Sequence, residues 1–126
     1  MRIDSIHRED VPDDSPDVSW LEQWTQEGSE QERASARERL AAFNRGDWHM
    51  IGVQAVAEVV FTSGVRERIS SAGLWGIESD SGEEYFQSVY LEELDQLGEM
   101  LHEMGFGASD ILEHAPELCR HEDPLG

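Results

Sequence analysis

The chain has 126 residues, the length of one domain, and carries 28 acidic residues against nine basic ones, all arginine, for a net charge of -19. Such acidity excludes direct binding to nucleic-acid phosphates or to an anionic membrane surface. Apolar stretches are too short to span a bilayer, the N-terminus is acidic rather than signal-like, and the single Cys119 cannot close an internal disulfide, so a soluble cytoplasmic protein is expected.

Residues 1–16 are polar, contain two prolines and show no period; they read as an extended or disordered lead-in to a single domain over 17–118. Asp17 or Ser19 caps a short helix through Trp24, with Trp20, Leu21 and Trp24 on one side. Ser29-x-x-Glu32 is a capping box that opens a helix through Phe43, and Gly46 stops it. Ala36, Leu40 and Phe43 form its apolar stripe.

The period then changes to two. Ile51, Val53, Ala55, Ala57, Val59 and Phe61 alternate with a mixed set, which predicts a long half-buried strand. Ser63-Gly64 signals a hairpin, with a returning strand around Val65–Ile69 in which Arg66 and Arg68 share a face and pair with Glu58, Glu67 or neighbouring acids. Gly73 marks a turn before a third strand, Leu74–Ile77. A three-stranded antiparallel meander is expected.

Ser81-x-x-Glu84, a second capping box, launches the longest helix, about 83 to 104. Phe86, Tyr90, Leu94, Leu97, Leu101 and Met104 make one seam that covers the Ile51–Phe61 face, while Trp75 and Ile77 close the core. Ser109 caps a short final helix that Pro116 interrupts, and 119–126 form a polar tail. The fold class is therefore α+β: N-terminal helices, a three-stranded antiparallel sheet, a long acidic amphipathic helix packed on it, and a short C-terminal helix.

The chemistry of catalysis is missing from this pattern: there is no phosphate loop, no nucleophile elbow and no Walker motif, so no enzyme, cofactor or catalytic residue is expected. His114, Glu117, Cys119 and His121 offer metal-ligand chemistry, but their spacing fits no standard zinc module and Pro116 breaks the register. No metal is expected; a cation-dependent regulator remains an alternative reading.

Charge distribution is more informative. Residues 1–32 carry a net of -8, residues 33–68 a net of +2 and residues 78–123 a net of -13. Glu92, Asp95, Glu99 and Glu103 form a ladder on the face of the long helix opposite its seam, extended by Glu78, Asp80, Glu83 and Glu84. Residues 78–119 contain no arginine to interleave, and like charges at this density cost stability. Carboxylates so spaced suit a basic groove built for phosphates, although a generic acidic surface, as in halophilic proteins, fits the same composition. Trp48 and Trp75 are candidate aromatic anchors beside this face, with burial in the core the competing reading.

The stretch FNRGDWHMIGVQAVAEV, the GLWGIESDSGEEY block and the acidic helix after it resemble a family of small proteins encoded on bacterial phages and plasmids. The resemblance covers about residues 30 to 106, with LWGIESDS its most distinctive part. It brings no catalytic residues; it implies the context of anti-CRISPR and antirestriction proteins, several of which imitate DNA. The expected partner is a protein with a basic nucleic-acid-binding groove, such as a CRISPR effector or restriction enzyme, with no direct nucleic acid or membrane contact. The rival reading is an assembly module, homodimeric through a sheet edge or exposed tryptophans, whose charge serves solubility.

Overall fold

The computed structural model describes residues 1–121 and is an α+β fold built on one antiparallel sheet of four strands. Strand β1 (Arg2–Pro12) and strand β2 (Met50–Val60) pair along almost their whole length, from Arg2 opposite Val60 to Pro12 opposite Ile51. Strands β3 (Arg66–Ser70) and β4 (Leu74–Glu78) both pair with the other edge of β2, one with each half. They are two pieces of one interrupted strand, not successive members of a meander. At the interruption the Ser71 amide donates to the Ala55 carbonyl, 2.9 Å, and the Ala55 amide donates to the Ser71 hydroxyl, 3.0 Å. Ser71 is the one buried polar residue among those described, and this exchange satisfies the backbone across the gap.

Two expectations are corrected here. Residues 1–16 hold a strand of the domain, not a disordered lead-in outside it, and the sheet has four strands rather than three. Alternation in β1 is concealed twice: its register slips between Ile3 and Ser5, and Arg8 occupies a core-side position opposite Ala55. That arginine lies 6.0 Å from the Phe86 ring centre and donates to Glu83, 3.0 Å, so its stem works as packing while its head is paired.

The long helix α3 (Glu83–Glu103) crosses one face of the sheet. Its Phe86, Val89, Tyr90, Leu94, Leu97 and Leu101 meet Ile51, Val53, Ala55, Ala57, Val59 and Ile77 in the main core. The expected seam stands except for Met104, which is exposed, and Ile77 closes the core whereas Trp75 does not. The second capping box does not form: the Ser81 hydroxyl donates to the Glu78 carbonyl, 2.6 Å, and Gly82, at φ 101, occupies the cap position. Helix α4 (Ala108–His114) and a 3₁₀ turn (Pro116–His121) close the open end of the core through Ile111, Ala115 and Leu118. Gly107 rather than Ser109 precedes α4. The remainder of the expected tail, 122–126, lies outside the described residues.

Helices α1 (Ser19–Trp24) and α2 (Glu30–Arg45) form a second, smaller layer. The Ser29–Glu32 capping box is present, with the Glu32 amide donating to Ser29 Oγ at 3.1 Å, and Gly46 ends α2 in the left-handed conformation. At the start of α1 the Asp17 carboxylate accepts from the Ser19 amide, and Val18 stands in the cap position. This layer packs on a cluster of its own, Leu21, Ala36, Trp48 and Met50, at one end of β2.

Candidate acidic interface

Every arginine whose side chain is described, from Arg2 to Arg68, is spent on the protein's own acids. Arg2 and Arg66 share Asp4, Arg8 holds Glu83 and Asp10, and Arg33 and Arg37 share Glu30. Arg39 holds Glu78 and Asp80, Arg45 holds Asp47, and Arg68 holds Glu9 at 2.7 Å and Glu58 at 3.6 Å. Several of these pairs lie on the sheet face opposite α3, where they neutralise one another. Arg66 thus finds its partner across β2 on β1, while Arg68 pairs both with Glu9 on β1 and with the neighbouring Glu58 on β2.

This accounting divides the eight predicted acids. Glu78 and Asp80 are clamped by the Arg39 guanidinium at 2.6 and 2.7 Å. Hydrogen bonding to Arg39 lowers the Asp80 carboxyl below its ordinary range, and Asp80 first, then Glu78, raise the Arg39 guanidinium. Hydrogen bonding to Arg8 likewise lowers Glu83. These three are structural ties: they join α2 to the turn after β4, and β1 to the start of α3. They add little free negative charge to a docking face.

Glu84, Glu92, Glu99 and Glu103 are exposed, and no arginine whose side chain is described pairs with them. Asp95, on the shoulder of the helix, is partly buried. Between Glu92 and Glu103 the helix rises about 16 Å, with successive carboxylates of the ladder about 4.5 to 6 Å apart along the axis. The ladder runs toward the C-terminal end of α3, where the helix dipole already places negative potential, and Glu103 is the last helical residue. Mutual repulsion and the dipole both disfavour carboxylates there.

The two tryptophan anchors separate. Trp48 is 2% exposed, its Nε1 donates to the Arg39 carbonyl at 3.0 Å, and Phe43 packs beside it at 5.0 Å between ring centres. The Arg39 guanidinium covers its ring at 3.8 Å. Trp48 is therefore core, and its role as an anchor is withdrawn. Trp75 is 43% exposed yet held: its Nε1 donates to the Ala72 carbonyl at 3.0 Å, and its ring lies against Gly52. A Cβ on Gly52 would stand 2.3 Å from Trp75 Cε3, so only glycine admits this ring. The indole is preorganised with surface left for a partner.

Leu74 and Tyr85, both more than two-fifths exposed, lie beside Trp75 and line with it a shallow depression of about 530 Å³. Tyr85 was not anticipated. It stands seven residues before Glu92, two helical turns, so extending the ladder's stripe backwards would have found it. The result is one surface with an aromatic end at Trp75 and Tyr85 and an acidic end at Glu99 and Glu103.

The expected metal-ligand set His114, Glu117, Cys119 and His121 is only partly described. The side chains of Cys119 and His121 lie outside the described residues, and the carboxylate–imidazole group that does converge is Asp110, Glu113 and His114. Asp110 is already used, accepting from the Ile3 amide at 3.0 Å, and His114 lies 3.3 Å from it. This ties α4 to β1. No helix among the described residues is long and apolar enough to cross a membrane. Family models, curated proteins and solved structures give no match to this chain.

Proposed function

We propose that the protein is a non-enzymatic inhibitor that acts in the cytoplasm by occupying the basic nucleic-acid-binding groove of a host defence complex of the CRISPR or restriction type. The observation that carries this reading is the contrast in arginine use. Arginines neutralise acids on the sheet and on the α2–β4 junction, yet none whose side chain is described pairs with Glu84, Glu92, Glu99 or Glu103 on the outer face of α3. Mutual repulsion among Glu92, Glu99 and Glu103 opposes folding, and a binding role is a reason to keep them.

The spacing supports the same reading. One strand of duplex DNA presents about five phosphates over the length of the α3 ladder, at roughly 3.4 Å each. The exposed carboxylates of Glu92, Glu99 and Glu103 span the same length and attract the same lysines and arginines. Association driven this way is fast and weakens with salt. Trp75 and Tyr85 add a desolvated anchor, which a purely electrostatic contact lacks.

A charge-reversal capture tests the proposal. Immobilised protein, incubated with host lysate at about 0.1 M salt, is expected to retain a nucleic-acid-processing complex and release it near 1 M salt, where screening shortens to about 3 Å. The double variant Glu92→Lys, Glu99→Lys should retain at least about tenfold less, the loss of roughly 1.4 kcal/mol. Equal retention by the variant would defeat the assignment of α3. A specific observation favours one other reading: among the described residues β4 pairs only with β2, which leaves its outer edge open next to Leu74 and Trp75. An assembly module would use that edge, and sedimentation would then show a dimer that ignores every basic partner.

A further inference from the structure

Two tryptophans stand on a six-residue helix, Trp20 half-buried against the smaller core cluster and Trp24 largely in solvent. Trp24 is 57% exposed and meets Trp20 edge to face, 5.1 Å between ring centres at 79°. Trp20 is fixed by its own Nε1, which donates to the Asp17 carbonyl at 3.0 Å. Below them, between α1 and α2, lies an open cleft of about 880 Å³, within the size range of real ligand sites. Leu21 and the small Ala36 supply an apolar floor where the two helices touch.

The cleft is also anionic. Its lining includes the carboxylates of Glu27, Glu32 and Glu78 against one arginine, Arg39. Arg39 is committed: it bonds Glu78 and Asp80 and covers the Trp48 ring, so it cannot neutralise the other two acids. Glu27 and Glu32 each make one side-chain bond, to Gln23 at 3.1 Å and to Ser29 at 3.1 Å. A carboxylate has about four acceptor positions, so both keep capacity for a further donor.

Indole faces attract cations, and paired carboxylates beside them select a cation that also donates in a plane. We propose that this cleft receives an arginine side chain presented by a basic protein segment, its guanidinium against Trp20 and Trp24 and bonded to Glu27 and Glu32. Lysine fits less well, because its compact, strongly hydrated ammonium neither stacks nor bonds two carboxylates in one plane. A neutral apolar peptide leaves both acids facing a dry partner, which costs affinity. The site lies on the α1–α2 layer, apart from the α3 face, and stands whether or not α3 imitates nucleic acid.

The test uses the full-length ¹⁵N-labelled protein and its four indole N–H resonances. The probe is acetyl-Gly-Arg-Gly-amide, with the matching citrulline peptide as its neutral isostere. The expected result is a saturable shift of the Trp20 and Trp24 signals below about 20 mM arginine peptide, with the buried Trp48 signal still, and at least about fivefold weaker binding of the citrulline peptide. Trp24→Ala should abolish the response at Trp20; its exposed ring makes the variant safe for folding. Glu27→Gln with Glu32→Gln should weaken binding about fivefold or more while keeping the α2 cap, since glutamine serves equally at that position. Equal response to both peptides, no saturable shift, or a response surviving Trp24→Ala would each overturn the proposal. So would a response lost in Glu92→Lys, Glu99→Lys, which would place the attraction on α3.

Discussion

If the α3 carboxylates serve binding at the expense of folding, reversing one of them should stabilise the protein while weakening its capture of a partner. Glu99 is the best site, one helical turn from both Asp95 and Glu103, about 6 Å along the axis on either side. Each like-charge contact at this spacing costs about 0.2–0.5 kcal/mol, and each opposite-charge contact gains a similar amount. Glu99→Lys therefore changes two contacts from repulsive to attractive and should add about 1 kcal/mol at low salt, a midpoint shift of roughly 3–5 °C for a chain of this size. Urea unfolding at about 0.02 M and 1 M salt separates the causes, because screening at the higher salt falls inside the spacing of the charges. The gain should be present at low salt and largely gone at high salt, and the same variant should show reduced lysate capture. No gain at low salt, or an identical gain at both, would refute the view that these acids oppose folding through their charge.

Arg39→Met removes the guanidinium over Trp48 and the clamp on Glu78 and Asp80; about 2 kcal/mol should be lost in chemical denaturation, after discounting the partly exposed ion pair. The carboxyls of Asp80, Glu83, Glu9 and Asp4 are held low by arginine, so their contribution is complete above the ordinary carboxylate pKa of about 4 and disappears as pH falls through the folded values. Denaturation between about pH 2 and 6 should show that loss, shallower in Arg39→Met than in the parent. Gly52→Ala drives a methyl into the Trp75 ring and should cost about 1–3 kcal/mol, with the Trp75 indole resonance displaced and the others unmoved. Deleting residues 1–12 strips β2 of its partner and should abolish the cooperative unfolding transition seen by circular dichroism.

The long apolar patterns were readable because each served a single periodicity. The alternate residues Ile51 to Val59 of β2 face α3 as expected, although the strand is buried on both faces rather than half-buried. The α3 seam from Phe86 to Leu101 repeats at helical spacing, so both elements and their contact followed from the residues. β1 escaped because the register slip after Ile3 breaks its alternation and Arg8 does the work of an apolar residue. The division of β3 from β4 along one edge also left no local signal, since it depends on the Ser71 hydroxyl standing in for a ladder bond.

The candidate site was legible in charge but not in pairing. Sequence spacing placed Glu92, Glu99 and Glu103 on the open face, yet the capture of Glu78 and Asp80 depends on Arg39, some forty positions away. Trp48 and Trp75 have similar local surroundings in sequence; what separates them is a stacked arginine on one and a backing glycine on the other. Neither neighbour is adjacent in the chain to the tryptophan it governs.

Competition with DNA tests imitation most directly. With the captured complex purified, binding of this protein is measured at increasing concentrations of a duplex that the complex recognises. Imitation predicts mutual exclusion: the apparent Kd rises in proportion to duplex concentration, and no particle contains all three components. A stable ternary complex, or an affinity indifferent to the duplex, would contradict it.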